Sequence, residues 1–382
     1  MYTLNEKIRD LEPYEPIAGE YKIRLDANES FLCLPESVMA SALHAMMRVE
    51  LNRYPDPTAK DLCAAFAKSY KVKPACVAAG NGSDELINVI FQSFLMKGET
   101  YATLTPDFSM YDFYGYVSEC RGIEIKKDEN FTIDIDKVIE TCNNENVKLL
   151  IFSNPCNPTS VGLTRETVRK IIRGVSALVV LDEAYMDFWN ESMLGEFENY
   201  DNLLILKTCS KAFGLAALRV GFAVGNEKLV RAIKAVKSPY NVNTCSQKMA
   251  EAVLKNRAEA DAAIRRLLLS RDELQQKFDR MAQRFPEKLQ TVKSVTNFVV
   301  LRTPYAKELY ERLLAESIAV RYFKNMSALR ITAGSTGEKR LLMMQRQQTN
   351  LLMKQQKIMQ LKKLPNKSGQ TVEKYSHQQD FK

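Results

Sequence analysis

The chain has 382 residues, 46% of them hydrophobic, and a formal net charge of +8, so it can form one large or two ordinary domains and is not disordered over most of its length. Residues 336–382 contain ten Lys/Arg and three Asp/Glu and carry seven of the eight excess positive charges, which argues against nucleic-acid binding by the rest of the chain. The only histidines, His44 and His377, are too few for a His-rich metal site, and with His377 in the tail they argue against a His-based triad.

Residues 1–35 show neither helical nor strand periodicity, and we expect this segment to pack near the functional site. From about Thr58 to Ala223, short apolar runs alternate with patterns in which apolar residues recur every three to four positions. This alternation predicts a doubly wound, mostly parallel α/β domain over residues 36–240. Its strands are predicted at Cys76–Ala79, Tyr101–Leu104, Lys148–Phe152, Leu178–Leu181, Leu203–Leu206 and Val220–Val224. Its helices are predicted at Ala59–Tyr70, Glu85–Leu95, Met110–Glu119 and Arg165–Arg173.

A smaller α+β domain is predicted over residues 241–335. It begins with one long amphipathic helix and continues as a strand, a helix and two short strands, at Thr244–Arg280, Ser294–Leu301, Ala306–Glu316, Ile318–Tyr322 and Ala328–Thr332. The tail, residues 336–382, adds nine glutamines to its basic residues, with Leu and Met at helical spacing. We expect a solvated, partly helical tail, and an interaction helix is the alternative.

Eight cysteines are scattered through the chain without a C-x-x-C pair, which favours reduced thiols inside a cell. Met1–Pro16 has no apolar core of a signal peptide, and no apolar run reaches the ~18 residues that span a bilayer. We therefore expect a soluble, cytoplasmic protein that binds no membrane.

A lysine follows the predicted strand Leu203–Leu206 and precedes a turn of small residues, in the segment Ser210-Lys211-Ala212-Phe213-Gly214. Among apolar neighbours an ammonium group loses hydration, so its pKa falls and the neutral amine becomes a nucleophile. Lysines flank strands in most proteins, and this segment alone decides no function.

Two polar residues follow neighbouring predicted strands. Asp182 comes directly after Leu178–Leu181, and Asn157 lies in a Pro-braced turn after Lys148–Phe152. Ligands of α/β proteins bind at the carboxyl ends of strands, but a helix cap, a solvated acid or a plain turn would give the same patterns. A glycine-rich loop, residues 79–85, also opens a predicted helix, where backbone N–H groups attract a phosphate.

In chain order, the glycine-rich loop, the asparagine turn, Asp182, Lys211 and Arg219 resemble the fold type I pyridoxal-phosphate enzymes of the class II aminotransferase branch, over roughly residues 10–335. Within that superfamily, further motifs are most similar to the histidinol-phosphate aminotransferase family. These motifs are Pro13-Tyr14, Leu25-Asp26-Ala27-Asn28-Glu29-Ser30, Asn52-Arg53-Tyr54-Pro55-Asp56, Gly82-Ser83-Asp84-Glu85, Pro106-Asp107-Phe108-Ser109-Met110-Tyr111, Asp182-Glu183-Ala184-Tyr185 and Leu329-Arg330-Ile331-Thr332.

The resemblance implies pyridoxal 5'-phosphate (PLP) as the cofactor, a homodimer, and amino transfer between histidinol phosphate and 2-oxoglutarate in histidine biosynthesis. It implies that Lys211 binds the cofactor covalently and moves the substrate proton, and that Asp182 pairs with the pyridine nitrogen. The other residues it implies for the cofactor ring are Asn157, Tyr185 and Phe108. Those for the cofactor phosphate are Ser83, Asp84, Thr208, Ser210, Arg219 and, from the partner subunit, Tyr54. Those for the substrate are Tyr14, Asn28, Arg321 and Arg330.

The sequence departs from this family in three places. Ser160 stands where the family has a glycine after Asn-Pro-Thr, and Ala217 replaces a glycine before Leu218-Arg219. After Gly334 the family closes with one short helix, whereas this chain continues into the basic tail.

Other activities share the same cofactor motifs. An aromatic-amino-acid aminotransferase and a threonine-phosphate decarboxylase differ from the preferred interpretation only in the substrate pocket. A PLP-binding protein without turnover and an RNA-associated role of the tail are more distant alternatives. A complete set of Asn157, Asp182, Tyr185, Lys211 and Arg219 favours an enzyme.

Overall fold

The computed structural model describes residues 2–13 and 17–342. The N-terminal segment contains a short helix α1 (Glu6–Arg9), a two-residue strand β1 (Ile23–Arg24) and helix α2 (Glu36–Met46). β1 pairs in parallel with Ile318–Ala319, almost three hundred residues later in the chain. The position of β1 is therefore set by pairing with a strand that is distant in sequence, and such pairing leaves no local periodicity in the N-terminal segment.

A seven-stranded sheet forms the centre of the next part of the chain. In chain order its strands are β2 (Val77–Gly80), β3 (Thr100–Thr105), β4 (Arg121–Lys126), β5 (Leu149–Ser153), β6 (Leu178–Asp182), β7 (Leu203–Thr208) and β8 (Gly221–Gly225). The spatial order is β2-β8-β7-β6-β5-β3-β4, and β8 runs antiparallel to both of its neighbours. All six predicted strands are present within one or two residues, whereas the edge strand β4 was not predicted.

Helices cover both faces of this sheet. They are α3 (Lys60–Tyr70), α4 (Gly82–Phe94), α5 (Met110–Val117), α6 (Ile135–Asn144), α7 (Arg165–Gly174) and α8 (Glu227–Val236). Alternate residues of one strand enter different cores: Leu150 and Phe152 of β5 join one apolar cluster, while Leu149 and Ile151 join the other. The strands are buried on both faces, so the predicted doubly wound α/β fold is confirmed.

An antiparallel sheet with flanking helices follows. Its elements are α9 (Thr244–Lys255), α10 (Arg257–Arg284), β9 (Gln290–Val292), β10 (Phe298–Arg302), α11 (Ala306–Ala315), β11 (Ile318–Ala319), β12 (Arg321–Phe323) and β13 (Ala328–Thr332). Four of the strands form a sheet in the order β12-β13-β10-β9, and β11 pairs with β1. Short 3₁₀ turns lie at Pro74–Cys76, Met186–Phe188, Met193–Gly195, Phe197–Asn199, Ala216–Leu218 and Lys324–Met326.

The prediction of a single long helix at Thr244–Arg280 is wrong, because the helix is interrupted at Asn256. This residue leaves the helical conformation (φ −98°, ψ 49°), and its side-chain Nδ2 donates to the carbonyl of Ala252 at 2.7 Å. An asparagine that bonds to nearby backbone in this way competes with helix continuation. α9 and α10 are therefore separate helices.

Of the described residues, those up to Thr336 form one compact unit, and those from Gly337 onward belong to a second. The finer division of the first unit at residues 240/241 into a large and a small domain stays a prediction. Residues 336–342 are helical, and the rest of the tail, 343–382, lies outside the described residues. None of the helices within the described ranges is long and apolar enough to cross a membrane.

Candidate active site

The carboxyl ends of three adjacent parallel strands bring polar side chains to one edge of the seven-stranded sheet. β5 leads into the turn that contains Asn157, β6 ends at Asp182, and β7 is followed by Lys211. Each of these strands is an apolar run that is fully or almost fully buried, so their register fixes where the polar residues emerge. This is the edge at which α/β proteins bind ligands.

A cradle of hydrogen-bond donors lies beside this edge, at the start of α4. Thr208 Oγ1 donates to Ser210 Oγ at 3.0 Å, and Nη1 of Arg219 donates to the same Ser210 oxygen at 3.2 Å. A Cβ atom on Gly221 would lie 2.3 Å from the backbone N of Ser83, and one on Gly82 would lie 2.7 Å from Nη2 of Arg219. Gly221 is thus required for the close backbone approach that builds the cradle, and Gly82 has a φ of 83°, in the left-handed region that favours glycine. Hydroxyls, a guanidinium and a helix N-terminus together fit a phosphate.

Asp182 is a buried carboxylate with two hydrogen-bond donors. Its Oδ2 accepts from the hydroxyl of Tyr111 at 2.9 Å, and its Oδ1 accepts from the backbone N of Ala184 at 3.0 Å. Burial raises the pKa of Asp182 to about 6, an effect that these bonds oppose and that nearby Asp107 and Asp84 increase. The carboxylate is therefore poised to respond to a positive or protonated partner.

Lys211 lies in the turn after β7, and its Nζ donates to the carbonyl oxygen of Ala27 at 2.8 Å. Burial lowers the pKa of Lys211 to about 8, and the positive charges of Arg330 and Arg219 act in the same direction. A sizeable fraction of the amine is consequently neutral in mildly alkaline solution, which is the form that attacks a carbonyl carbon.

Asn28 connects the N-terminal segment to both sheets. Its Nδ2 donates to the hydroxyl of Tyr185 at 2.8 Å, and its Oδ1 accepts from Oγ1 of Thr332 at 3.1 Å. Asn297 donates from Nδ2 to the Asn28 carbonyl at 3.0 Å. Asn28 has a φ of 56°, in the left-handed region that asparagine tolerates better than most residues. Burial raises the pKa of Tyr185, so its hydroxyl keeps its proton and can donate.

Arg330 reaches from β13 toward the asparagine turn. Its Nη1 donates to Oδ1 of Asn157 at 2.5 Å, and its Nη2 donates to the carbonyl of Asp26. The guanidinium carbon lies 5.4 Å from the ring centre of Phe298 and 5.6 Å from that of Phe323, so the cation lies within cation–π distance of both aromatic rings. This planar cation is therefore oriented by its surroundings.

The remaining predicted site residues lie in different settings. Phe108 packs edge-on against Tyr111, the residue that bonds Asp182. Arg321 of β12 is directly opposite Arg330 in the strand register, so both side chains emerge on one face of the small sheet. Tyr54 is 82% exposed and stacks on Tyr240. Tyr14 lies outside the described residues.

Several residues of the site were not singled out from the sequence. Tyr111 and Thr332 stand inside motifs quoted for the family, and their place in those motifs is the sequence feature that could have marked them as site residues. Asn297 and Lys127 act through partners that are distant in sequence, and no local pattern marks them, whereas Asp107, the ion-pair partner of Lys127, stands inside a motif quoted for the family. Within the described residues, no group of three or more His, Cys, Asp or Glu side chains could hold a metal ion.

Residues 20–344 match the family described as aminotransferase class I and II, and the chain belongs to this family. Its sequence relatives are more particular. The protein named histidinol-phosphate aminotransferase from Clostridium novyi (strain NT) is 39% identical over 331 residues, which cover 86% of this chain and 92% of that protein. A protein of the same name from Clostridium kluyveri (strain NBRC 12016) is 38% identical over 336 residues, with 87% and 94% covered. The family predicted from the motifs is thereby confirmed.

Solved structures have the same fold. The histidinol-phosphate aminotransferase of Sinorhizobium meliloti, crystallised in complex with pyridoxal-5'-phosphate, superposes with a TM-score of 0.80 at 23% identity, covering 90% of this chain and 96% of that one. The aspartate aminotransferase of Thermus thermophilus with maleate gives a TM-score of 0.76 at 20% identity, with 90% and 98% covered. At these identities the likeness confirms the fold type.

Proposed function

We propose that this chain is a PLP-dependent aminotransferase of histidine biosynthesis, which exchanges an amino group between histidinol phosphate and 2-oxoglutarate to give imidazole-acetol phosphate and glutamate. One observation carries the amino-transfer chemistry: Lys211 follows β7 at the sheet edge where the neighbouring strand β6 ends at Asp182, and the donor cradle of Ser210 and Arg219 lies beside them. The choice of histidinol phosphate rests on relatives of that name that are 32–39% identical over most of the chain.

The side chains present fit PLP. The donor cradle suits its phosphate, which we propose to be held by Thr208, Ser210, Arg219 and the backbone N–H groups of Ser83 and Asp84. When bound, PLP would supply an aldehyde that condenses with amines and a ring that accepts an electron pair. Phe108 is proposed to contact the face of that ring.

Asp182, Asn157 and Tyr185 are proposed to set the charge on the ring. A carboxylate at Asp182 favours a proton on the pyridine nitrogen, and its own buried setting makes that pairing stronger than it would be in water. Asn157 and the Tyr185 hydroxyl are proposed to donate to the phenolic oxygen. Asn28 holds that hydroxyl in place through its 2.8 Å bond, so it acts on the ring through Tyr185.

Lys211 is proposed to hold the cofactor covalently and then to move one proton from the substrate α-carbon. An amine with a lowered pKa suits both tasks, because it is neutral enough to attack and basic enough to accept a proton.

Arg330 and Arg321 are proposed to bind the anionic end of each substrate. Glutamate offers carboxylates and histidinol phosphate offers a phosphate, and a planar guanidinium can form two parallel bonds to either group. The register of β12 and β13 places the two arginines side by side. Asn28 and Tyr14 are proposed to line the same pocket.

The working form is proposed to be a homodimer in which Tyr54 completes the phosphate site of the partner subunit. Three apolar side chains near each other in sequence, Met47, Leu51 and Tyr54, are each more than 80% exposed, which is unusual for residues of this size on a free surface. A second copy of the chain would cover them. All eight cysteines lie in the described residues and are free thiols, which supports a reducing, cytoplasmic location.

The test is an assay of the purified protein with PLP and 2-oxoglutarate, offering histidinol phosphate, phenylalanine or threonine phosphate in separate reactions. Glutamate and carbon dioxide are followed independently, and Lys211→Ala is the blank. Glutamate formed fastest with histidinol phosphate supports the proposal. If glutamate forms fastest with phenylalanine, the protein is an aromatic-amino-acid aminotransferase instead. Release of carbon dioxide from threonine phosphate would identify a decarboxylase, and no turnover at all would identify a PLP-binding protein without activity.

A further inference from the structure

A buried ion pair lies directly behind the residues proposed to contact the cofactor ring. Asp107, 3% exposed, follows Pro106 at the end of β3, and Lys127, 7% exposed, follows β4. Their charged atoms, Oδ2 and Nζ, are 3.7 Å apart. Lys127 Nζ also donates to the carbonyl of Pro106 at 2.8 Å and to Sγ of Cys156 at 3.2 Å. None of these groups has a part in the chemistry proposed above.

The Asp107 carboxylate joins the ends of two neighbouring strands. One oxygen accepts from the backbone N of Phe108 at 2.8 Å and from the hydroxyl of Ser153, the last residue of β5. The other oxygen accepts from the backbone N of Ser153 at 3.1 Å. Ser153 in turn accepts at Oγ from the backbone N of Asn157, also at 3.1 Å. A single carboxylate therefore holds Phe108 directly and Asn157 through one hydroxyl.

This set of hydrogen bonds requires that both side-chain oxygens of residue 107 be acceptors, as they are in a carboxylate. Three donors converge on Asp107, and an amide side chain of the same size could accept at one atom only. A carboxylate buried to this extent needs compensation, and Lys127 supplies the positive charge that makes its burial tolerable. The pair thus ties the ends of β3, β4 and β5 together.

Resting on the proposed function, we infer that Asp107, neutralised by Lys127, is a positioning residue that sets the spacing between Phe108 and Asn157 and thereby the orientation of the PLP ring. The binding energy of PLP then depends on a residue that makes no contact with it. At metal sites, loss of the residues that orient the metal ligands costs about 10–100-fold in affinity, and we expect a loss of similar size for PLP here.

The experiment compares PLP binding to the full-length protein and three variants: Asp107→Asn, Lys127→Met, and the two together. Two quantities are measured, the dissociation constant of PLP and the visible circular dichroism of the bound cofactor, which reports ring orientation. Asp107→Asn should weaken PLP binding about tenfold or more, equivalent to about 1.4 kcal/mol, and should change the dichroism. Asp112→Asn is the control for loss of an acid on the following helix, because Asp112 is exposed and its side chain accepts only from the Tyr101 hydroxyl among the side-chain contacts of the described residues.

The double variant separates positioning from simple charge balance. It removes both charges, so the apoprotein should regain thermal stability relative to Lys127→Met, in which the carboxylate is left uncompensated. PLP affinity and dichroism should nevertheless stay at the level of Asp107→Asn. Return of both to wild-type values in the double variant would overturn the inference, as would unchanged values in Asp107→Asn. Wild-type protein that binds no PLP would refute the proposed function itself, whatever the variants do.

Discussion

Replacing Ser160 with glycine should stabilise the protein. Ser160 occupies the position at which the family has glycine, and its φ of 63° lies in the left-handed region. That conformation costs a residue with a Cβ about 1–2 kcal/mol. The Ser160 hydroxyl is also buried and has no hydrogen-bond partner among the described residues, which costs about 1–3 kcal/mol. The backbone contacts of residue 160, from its N to the Cys156 carbonyl and from Val295 N to its own carbonyl, survive the change.

Two terms oppose the gain. Glycine increases the freedom of the unfolded chain, at about 0.4–1 kcal/mol, and loses the apolar burial of one methylene, at about 0.8 kcal/mol. The net expectation for Ser160→Gly is a gain of about 1–3 kcal/mol in the free energy of unfolding.

The measurement is urea unfolding of the PLP-free protein followed by circular dichroism, at equal concentrations of each variant. Ser317→Gly is the matched control: Ser317 has nearly the same φ, 62°, but its hydroxyl accepts from the backbone N of Lys22 at 2.9 Å. Its gain should be smaller because a satisfied hydroxyl is lost. A Ser160→Gly midpoint equal to or below wild type would refute the reasoning.

Three further substitutions test the site. Because burial raises the pKa of Asp182 to about 6 from an ordinary value near 4, the folded PLP-free protein binds more protons than the unfolded chain between about pH 4 and 6, and its stability should fall by on the order of 2–3 kcal/mol as the pH rises through that window. Asp182→Asn should flatten this slope in urea titrations, and an unchanged slope would show that another group titrates. Arg330→Lys should lower kcat/KM about 30-fold or more in both half-reactions, since lysine cannot donate to Asn157 and Asp26 and also fork onto an anion. An unaltered single-turnover rate with glutamate would place its carboxylate elsewhere. Tyr54→Phe keeps the ring that stacks on Tyr240 but removes the hydroxyl, so PLP should dissociate more readily while light scattering still reports a dimer. Equal PLP retention, or an active monomer, would contradict the shared site.

The strands of the large sheet could be predicted because burial on both faces makes them continuous apolar runs. Leu178–Asp182 and Leu203–Thr208 are examples, and the ends of these runs are enough to mark Asp182 and Lys211 as candidate site residues. β4 was missed for the opposite reason. It is an edge strand in which Arg121, Glu124 and Lys126 are exposed, so charge interrupts the apolar pattern.

Contacts between residues distant in sequence could not be predicted. Asn28 meets Thr332, and Lys211 meets the Ala27 carbonyl, across separations of 304 and 184 residues.

Two departures from the family pattern also needed the backbone conformation to be interpreted. Ala217 is exposed and its φ is not positive, so its position does not require glycine, whereas the φ of 63° at Ser160 lies in the left-handed region that favours glycine.

The central claim is that histidinol phosphate is the preferred amino donor, and a competition assay tests it most directly. The wild-type protein is given equal concentrations of histidinol phosphate and phenylalanine with limiting 2-oxoglutarate, and both keto products are measured as they form. Their ratio equals the ratio of the two kcat/KM values. The proposed function predicts imidazole-acetol phosphate as the dominant product, and an excess of phenylpyruvate would contradict it.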